Sequence, residues 1–492
     1  MNKIGFDNKK YVEIQSRNIA KRVSKFNKLY LEFGGKLFDD AHASRVLPGF
    51  EPDSKIKMLL NIKDKVEIVL VINAEDIDRN KIRADLGITY RDDLMRLIDS
   101  FETAGLYVSG VVITKYNKQQ SADKLRKKLE KAGYRVAYHY SIPNYPNDTD
   151  TIISEKGFGR NEYIKTTKDI VVVTAPGPGS GKMATCLSQM YHDNLNGIKA
   201  GYAKFETFPV WDLPLNHPIN LAYEAATIDL DDVNMIDPFH FEAYKKITVN
   251  YNRDVEIFPV LNELLIKIVG KQVYKSPTDM GVNMISQCIV NDNACKEASR
   301  NEIIRRYYNL LNDVRDDLAN EELINKMETI MNKAQCSVED RKVVTACLDL
   351  AKETKKAAAA IELNDGTIIT GKTTPLLGAT SSCILNAIKY EAKLPDIKLL
   401  SKEVLEPIQK VKTEILHSKN PCLHADETLI ALASGIKDDK NCELALNALE
   451  KLKDTDMHTS VLLSDVDIKI IRKLGIRLTM EPKYSNKKLY HK

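Results

Sequence analysis

Ile170-Val171-Val172-Val173-Thr174-Ala175-Pro176-Gly177-Pro178-Gly179-Ser180-Gly181-Lys182-Met183 is the stretch on which the fold turns. A run of β-formers enters a loop of three glycines and two prolines, the loop ends on a lysine, and helical spacing resumes from Met183 to His192. Strand, glycine loop and helix together make a phosphate cradle. Glycines let backbone N–H groups converge on an anion, the helix N-terminus adds positive potential, and Lys182 adds a full charge. The pattern departs from a P-loop at two places: Pro176 stands where the first glycine belongs, and Met183 stands where a Mg²⁺-binding hydroxyl belongs. The plain alternative is a sharp strand-to-helix turn whose glycines only relieve steric strain.

Outward from this stretch, strand and helix alternate. Strands are expected at Leu29–Phe33, Val66–Ile72, Leu106–Ile113, Arg135–Tyr140 and Lys199–Phe208, with helices over 9–27, Asp92–Ala104 and Ala122–Ala132. That alternation predicts an α/β fold with a mostly parallel, Rossmann-like or P-loop-like sheet, and ligands then bind beyond the C-terminal strand ends. The loops Asn73–Asp76 and Thr114-Lys115 are expected on the same edge as the glycine loop. Gly34-Gly35-Lys36 and Arg45 offer a second anion contact, with an ordinary charged turn as the alternative. The charged run Glu75, Asp76, Asp78, Arg79, Lys81, Arg83 and Asp85 reads as solvated loop charge placed at a strand end.

Three domains are expected: an N-terminal Rossmann-like domain over 1–165, the glycine-loop segment and a helical region over 166–335, and a smaller α/β domain over 336–492. The helical stretch 293–335, with Arg305-Arg306 beside Tyr307-Tyr308, reads as a bridge. In the last domain, a helix is followed by a hairpin turning at Asp365-Gly366, then helix, strand Thr459–Leu463, helix and strand Ile476–Met480. This is the element order of cytidine-deaminase-like domains, but the His-x-Glu and Pro-Cys-x-x-Cys signatures are missing. No zinc is expected there: Cys383 reads as a core thiol and His424 as a helix-entry group.

The bulk numbers limit partners. Of 492 residues 43% are hydrophobic and 28% charged, and the net charge of +4 is too small to argue for nucleic acid. Eight scattered cysteines without a C-x-x-C pair, no signal-peptide core and no apolar run near the roughly 20 residues of a membrane span point to a cytoplasmic protein without a membrane partner. A homo-oligomer is compatible with the sequence.

Gly5-Phe6-Asp7, Tyr30–Pro52, Gly87–Tyr90, Val171–Gln189, Lys204–Pro214, Asn234–Phe239 and Ser276–Asn283 together resemble an uncharacterised, mainly bacterial family, the domain-of-unknown-function family numbered 1846 (uncharacterised protein family 0371). The resemblance spans essentially the whole chain and implies a multi-domain α/β protein with no established reaction. Members are sometimes described as ATP-dependent peptidases. No G-x-S-x-G elbow or H-E-x-x-H pair supports that here, and His42/Ser44 or Cys186/His192 would be forced dyads.

The residues point to an enzyme that binds a nucleotide or another phosphorylated small molecule, with phosphoryl transfer or ATP-driven ligation as the reaction. Gly177, Gly179, Ser180, Gly181 and Lys182 would hold phosphate, with Lys36 and Arg45 in support. Lys182 and Glu206 would be catalytic, and Glu206 with Asp229 would hold Mg²⁺ for ATP. The alternatives are a sugar-phosphate or dinucleotide enzyme without ATP turnover, and a non-enzymatic nucleotide sensor or scaffold.

Overall fold

A computed structural model of the protein describes residues 4–38, 40–83 and 86–485. The chain divides into two compact units. One comprises Ile4–Glu224 with Leu230–Lys296, the other Ala225–Asp229 with the chain from Glu297 onward.

The first unit is built on strands β1 (Lys28–Phe33), β2 (Val66–Asn73), β3 (Tyr107–Tyr116), β4 (Val136–Tyr140), β5 (Ile170–Thr174), β6 (Ala200–Phe205) and β7 (Gly281–Val282). They form one sheet in the order β7-β6-β1-β5-β2-β3-β4, and every neighbouring pair is parallel. The helices used below are α1 (Asn8–Val23), α2 (Tyr90–Thr103), α3 (Gln120–Lys131), α4 (Lys182–Leu195) and α5 (Asn252–Val269). Strands β1, β2 and β5 are buried at every position, which is why they read as mostly apolar runs, broken in β1 by Lys28 and Glu32 and in β2 by Glu67 and Asn73. Val69 and Val71 of β2 and Val171 and Val173 of β5 pack with Leu187 and Met190 of α4 and Phe258, Leu261 and Leu265 of α5. Burial of this kind is worth roughly 1.5–3 kcal/mol per large apolar side chain.

Strand β5 lies between β1 and β2. The chain therefore builds one side of the sheet, returns to its centre, and then builds the other side. The boundary expected between 165 and 166 falls inside this sheet, because β5 pairs with both β1 and β2; no core closes before residue 165. Strand β7 has only two residues and joins the sheet beside β6. The short helix Pro277–Met280 stands just before it, with the Ser276 side chain accepting from the Asp279 N–H.

Helix α6 (Asp292–Arg315) carries the chain into the second unit. There α7 (Lys342–Thr354), β8 (Ala358–Glu362), β9 (Ile368–Lys372), α8 (Ala379–Glu391), α9 (Ala425–Ser434), β10 (Asp456–Thr459), α10 (Asp465–Lys473) and β11 (Arg477–Met480) follow in order. The sheet order is β9-β8-β10-β11, with β8 antiparallel to β9 and β10, and β10 parallel to β11. The hairpin turns at Asp365-Gly366, where Gly366 takes φ 87°. The strand expected at Thr459–Leu463 lies earlier, at Asp456–Thr459. A carboxylate can sit in that strand because Arg477 Nε donates to Asp456 Oδ1 at 2.8 Å and Arg341 lies 3.1 Å from the same oxygen. Cys383 is a core residue whose thiol donates to the Ile369 carbonyl, and His424 caps α9 with its Nδ1 2.8 Å from Asp467 Oδ2. Cys422 and His424 precede the helix rather than lying on it. Among the described residues no helix is long and apolar enough to cross a membrane.

Candidate functional site

All seven C-terminal strand ends of the first unit lie on one edge because the sheet is wholly parallel. The glycine loop sits there at the end of β5, and the loops after β2 and β3 share the edge, as the sequence predicts. Thr114 of β3 donates its hydroxyl to the Ser180 carbonyl at 2.6 Å. Ser180 Oγ in turn donates to the Gly177 carbonyl at 2.9 Å, so this buried side chain shapes the loop and leaves only its backbone for a ligand. Gly179 and Gly181 take φ 72° and 89°, which L side chains rarely adopt. Gly177 is required for a different reason: a Cβ there would collide with the Tyr90 hydroxyl. Helix α4 starts at Lys182 with Gly181 as its N-cap and no side-chain cap, which leaves its first N–H groups for a ligand or water.

The Lys182 ammonium makes no hydrogen bond or ion pair among the described residues. Burial pushes its ammonium below the ordinary lysine range, while Glu32 pulls the other way and Lys204 adds to the fall. Glu32 lies on β1, directly opposite Lys204 of β6, and its Oε2 accepts from the Tyr202 hydroxyl at 2.7 Å. Lys204 Nζ stands 2.5 Å from Glu206 Oε1 and 2.5 Å from Asp254 Oδ2. Burial, with Asp254 adding and Lys204 opposing, pushes Glu206 up to about 8. Burial works against the Lys204 charge, but Asp254, Glu206 and Glu32 outweigh it and raise its pKa. Behind Glu206, the Trp211 ring packs on Gly281 where a Cβ would otherwise stand, and Asn283 Nδ2 donates at 3.0 Å to the carbonyls of Thr207 and Pro209.

The other expected site residues are placed as follows. Lys36 is exposed just beyond β1, and Arg45 is half-buried on the short helix Ala41–Val46. Neither is among the groups acting most strongly on Lys182, which are Glu32, Lys204, Cys186 and Arg253. Asp229 is exposed, belongs to the second unit, and lies in the field of Arg306. The carboxylate that shares Lys204 with Glu206 is Asp254, in the first turn of α5. Among the described residues no three His, Cys, Asp or Glu side chains gather to hold a metal ion. In the charged run after β2, Arg83 and Asp93 form a buried ion pair of 2.7 Å, while Asp85 lies outside the described residues. Neither forced dyad forms: Ser44 donates to the Ala41 carbonyl, the His42 ring packs edge-on against Phe208 and Tyr223, burial raises the Cys186 thiol well above its ordinary pKa, and His192 Nε2 bonds the Phe158 carbonyl at 3.0 Å.

Fold and site together define a mixed α/β protein whose parallel sheet presents a glycine loop and a lysine–carboxylate cluster on its C-terminal edge. The family described as "Domain of unknown function DUF1846, N-terminal" matches residues 4–335, and its C-terminal counterpart matches 339–490. The UPF0371 protein of Streptococcus thermophilus (strain CNRZ 1066) is 53% identical over 494 residues, with 100% of both chains covered. The UPF0371 protein of Streptococcus pyogenes serotype M5 (strain Manfredo) is 52% identical over 494 residues with the same coverage. The chain belongs to the DUF1846 family, as the resemblance of its segments implies.

Proposed function

We propose that this protein binds a nucleotide or another phosphorylated small molecule, with the phosphate on Gly177–Lys182 in a Rossmann-like or P-loop-like arrangement. The observation that carries the reading is Lys182: a half-buried ammonium without an ion pair, opening a helix that has no side-chain cap. A partly desolvated cation without an ion-pair partner is favoured when a ligand supplies the counter-charge. Backbone N–H groups of Gly177, Gly179, Ser180 and Gly181 position the phosphate, Lys182 neutralises it, and Lys36 and Arg45 reinforce the positive edge. The reaction class is phosphoryl transfer or ATP-driven ligation, with Glu206 holding or releasing a proton next to the bound ligand.

A second reading, a sugar-phosphate or dinucleotide enzyme without ATP turnover, is favoured by Met183. Its side chain packs against the core where a P-loop would present a hydroxyl to Mg²⁺. Glu206 and Asp254 already bind Lys204, and Asp229 is exposed in the other unit, so these residues do not fit a Mg²⁺ site and no step is routed through one. We also propose a cytoplasmic protein without zinc; elemental analysis of protein purified without chelators tests the latter, and near-stoichiometric zinc would refute it.

Thermal-shift measurements against nucleotides and phosphorylated sugars, with and without Mg²⁺, test the main reading. A ligand-dependent rise in melting temperature that Lys182→Ala abolishes supports it. Equal shifts in parent and Lys182→Ala would reject it.

A further inference from the structure

The second unit concentrates guanidinium groups on too few carboxylates. Helix α6 places Asn301, Glu302, Arg305 and Arg306 at spacings that bring Glu302 against both arginines. Glu302 Oε2 accepts from Arg305 Nε at 2.6 Å, and Oε1 accepts from Arg305 Nη2 at 2.7 Å and Arg306 Nε at 3.0 Å. Asp456 of β10 is shared in the same way. Its Oδ1 binds Arg477 Nε at 2.8 Å, its Oδ2 accepts from Arg477 Nη2 at 3.1 Å and from Asn301 Nδ2 at 3.0 Å, and Arg341 Nη2 also lies 3.1 Å from Oδ1. Arg341 donates further to Asn301 Oδ1 and the Arg477 carbonyl, yet its buried Nε has no acceptor. Four guanidinium cations are thus held by two carboxylates, and the fields of Arg305, Glu302, Asp456 and Arg477 overlap.

Arg306 is the member with most to offer. Its side chain is 29% exposed and its guanidinium is bonded only through Nε, so both Nη groups lack a partner among the described residues. Asp229 lies in its field but forms no ion pair with it. Burial presses the Arg306 charge downward, with Glu302 opposing and Arg305 reinforcing the fall. A planar fork of free donors beside further cations matches the geometry of an oxyanion.

We infer that the Arg305–Arg306 face of α6, backed by Arg341 and Arg477, is a second anion-binding site, taking a phosphate-class oxyanion through the Arg306 Nη groups. This site lies wholly within the second unit and is independent of the glycine loop. The ligand class is a small phosphate or pyrophosphate group, since the modest net charge of +4 gives no basic surface for a nucleic-acid backbone.

Calorimetric titration of the full chain with inorganic pyrophosphate tests it in the parent, Lys182→Ala, Lys182→Ala/Arg306→Gln and Lys182→Ala/Arg306→Lys proteins. The Lys182→Ala protein is expected to retain pyrophosphate binding. Adding Arg306→Gln should weaken it at least about tenfold, the size of one lost charge-assisted hydrogen bond. Arg306→Lys, which keeps the charge and loses the fork, should fall between. Equal affinity with and without Arg306→Gln, or no pyrophosphate binding by Lys182→Ala protein, overturns the inference. If Arg306→Gln impairs folding, Arg306→Lys decides, and unchanged affinity in that variant is equally fatal. Failure of the glycine-loop reading looks different: parent and Lys182→Ala would then bind identically while Arg306→Gln still loses affinity.

Discussion

Thr114 Oγ1 donates to the Ser180 carbonyl at 2.6 Å, tying the glycine loop after β5 to strand β3 across the intervening β2. The hydroxyl reaches the Ile72 carbonyl as well, at 3.4 Å, so it couples three adjacent strand ends. A loop rich in glycine loses much conformational entropy on ordering, and this contact fixes it before any ligand arrives. Thr114→Val keeps the shape and removes the donor. It is expected to cost about 1–2 kcal/mol in urea unfolding because the buried Ser180 carbonyl loses its hydroxyl partner. Thr114→Ser, which retains the donor, should remain nearer the parent, and equal losses in both would assign the effect to methyl packing.

Gly177 faces the Tyr90 hydroxyl with no room for a Cβ. Gly177→Ala should therefore displace the loop, destabilise the protein by about 1–3 kcal/mol, and weaken phosphate-ligand binding. Tyr90→Ala opens the space. In a double-mutant cycle the combined variant should be more stable than the sum of the single losses predicts. Strict additivity would mean that the loop yields elsewhere.

The central sheet was legible because strands buried on both faces are mostly apolar; Ile68–Ile72 and Ile170–Val173 announce themselves in this way. Strand β7 was not, since Gly281-Val282 is too short for a pattern and gains its place only by pairing with Lys204 and Phe205. Strand β10 was misplaced because Asp456 is buried by two arginines, one 21 residues away in sequence, and ion pairing is invisible to a hydropathy pattern. In the site, Lys182 could be read from its glycine loop. Glu32 left a signal, an acid inside the apolar run Tyr30–Phe33, whereas the meeting of Asp254 with Lys204 joins residues 50 apart and had none.

Removing the Lys182 charge should separate stability from binding. The ammonium is half-buried, unpaired and held below its ordinary pKa by desolvation, so it stabilises the ligand-free fold little. Lys182→Met is expected to melt at or above the parent temperature while losing its response to phosphorylated ligands, as site residues often trade stability for function. A variant that unfolds several degrees earlier without ligand would place Lys182 among the structural groups instead.

Glu206 gives the site a pH dependence whose sign follows from its surroundings. In the unfolded chain the carboxyl titrates near 4.5, whereas in the folded protein burial and Asp254 push it up to about 8. Between those values the folded state keeps a proton that the unfolded state has released. The stability this contributes is fully present below 4.5 and is lost as pH rises through 8, with a slope of at most about 1.4 kcal/mol per pH unit. Lys204 does not interfere, because its raised pKa contributes stability that is lost only above the ordinary lysine range. Glu206→Gln holds the position neutral at every pH and should flatten the fall of melting temperature between pH 5 and 8. Parallel profiles for parent and Glu206→Gln would show that Glu206 is ionised throughout as the ion-pair partner of Lys204, and would remove it as a proton carrier in the proposed reaction.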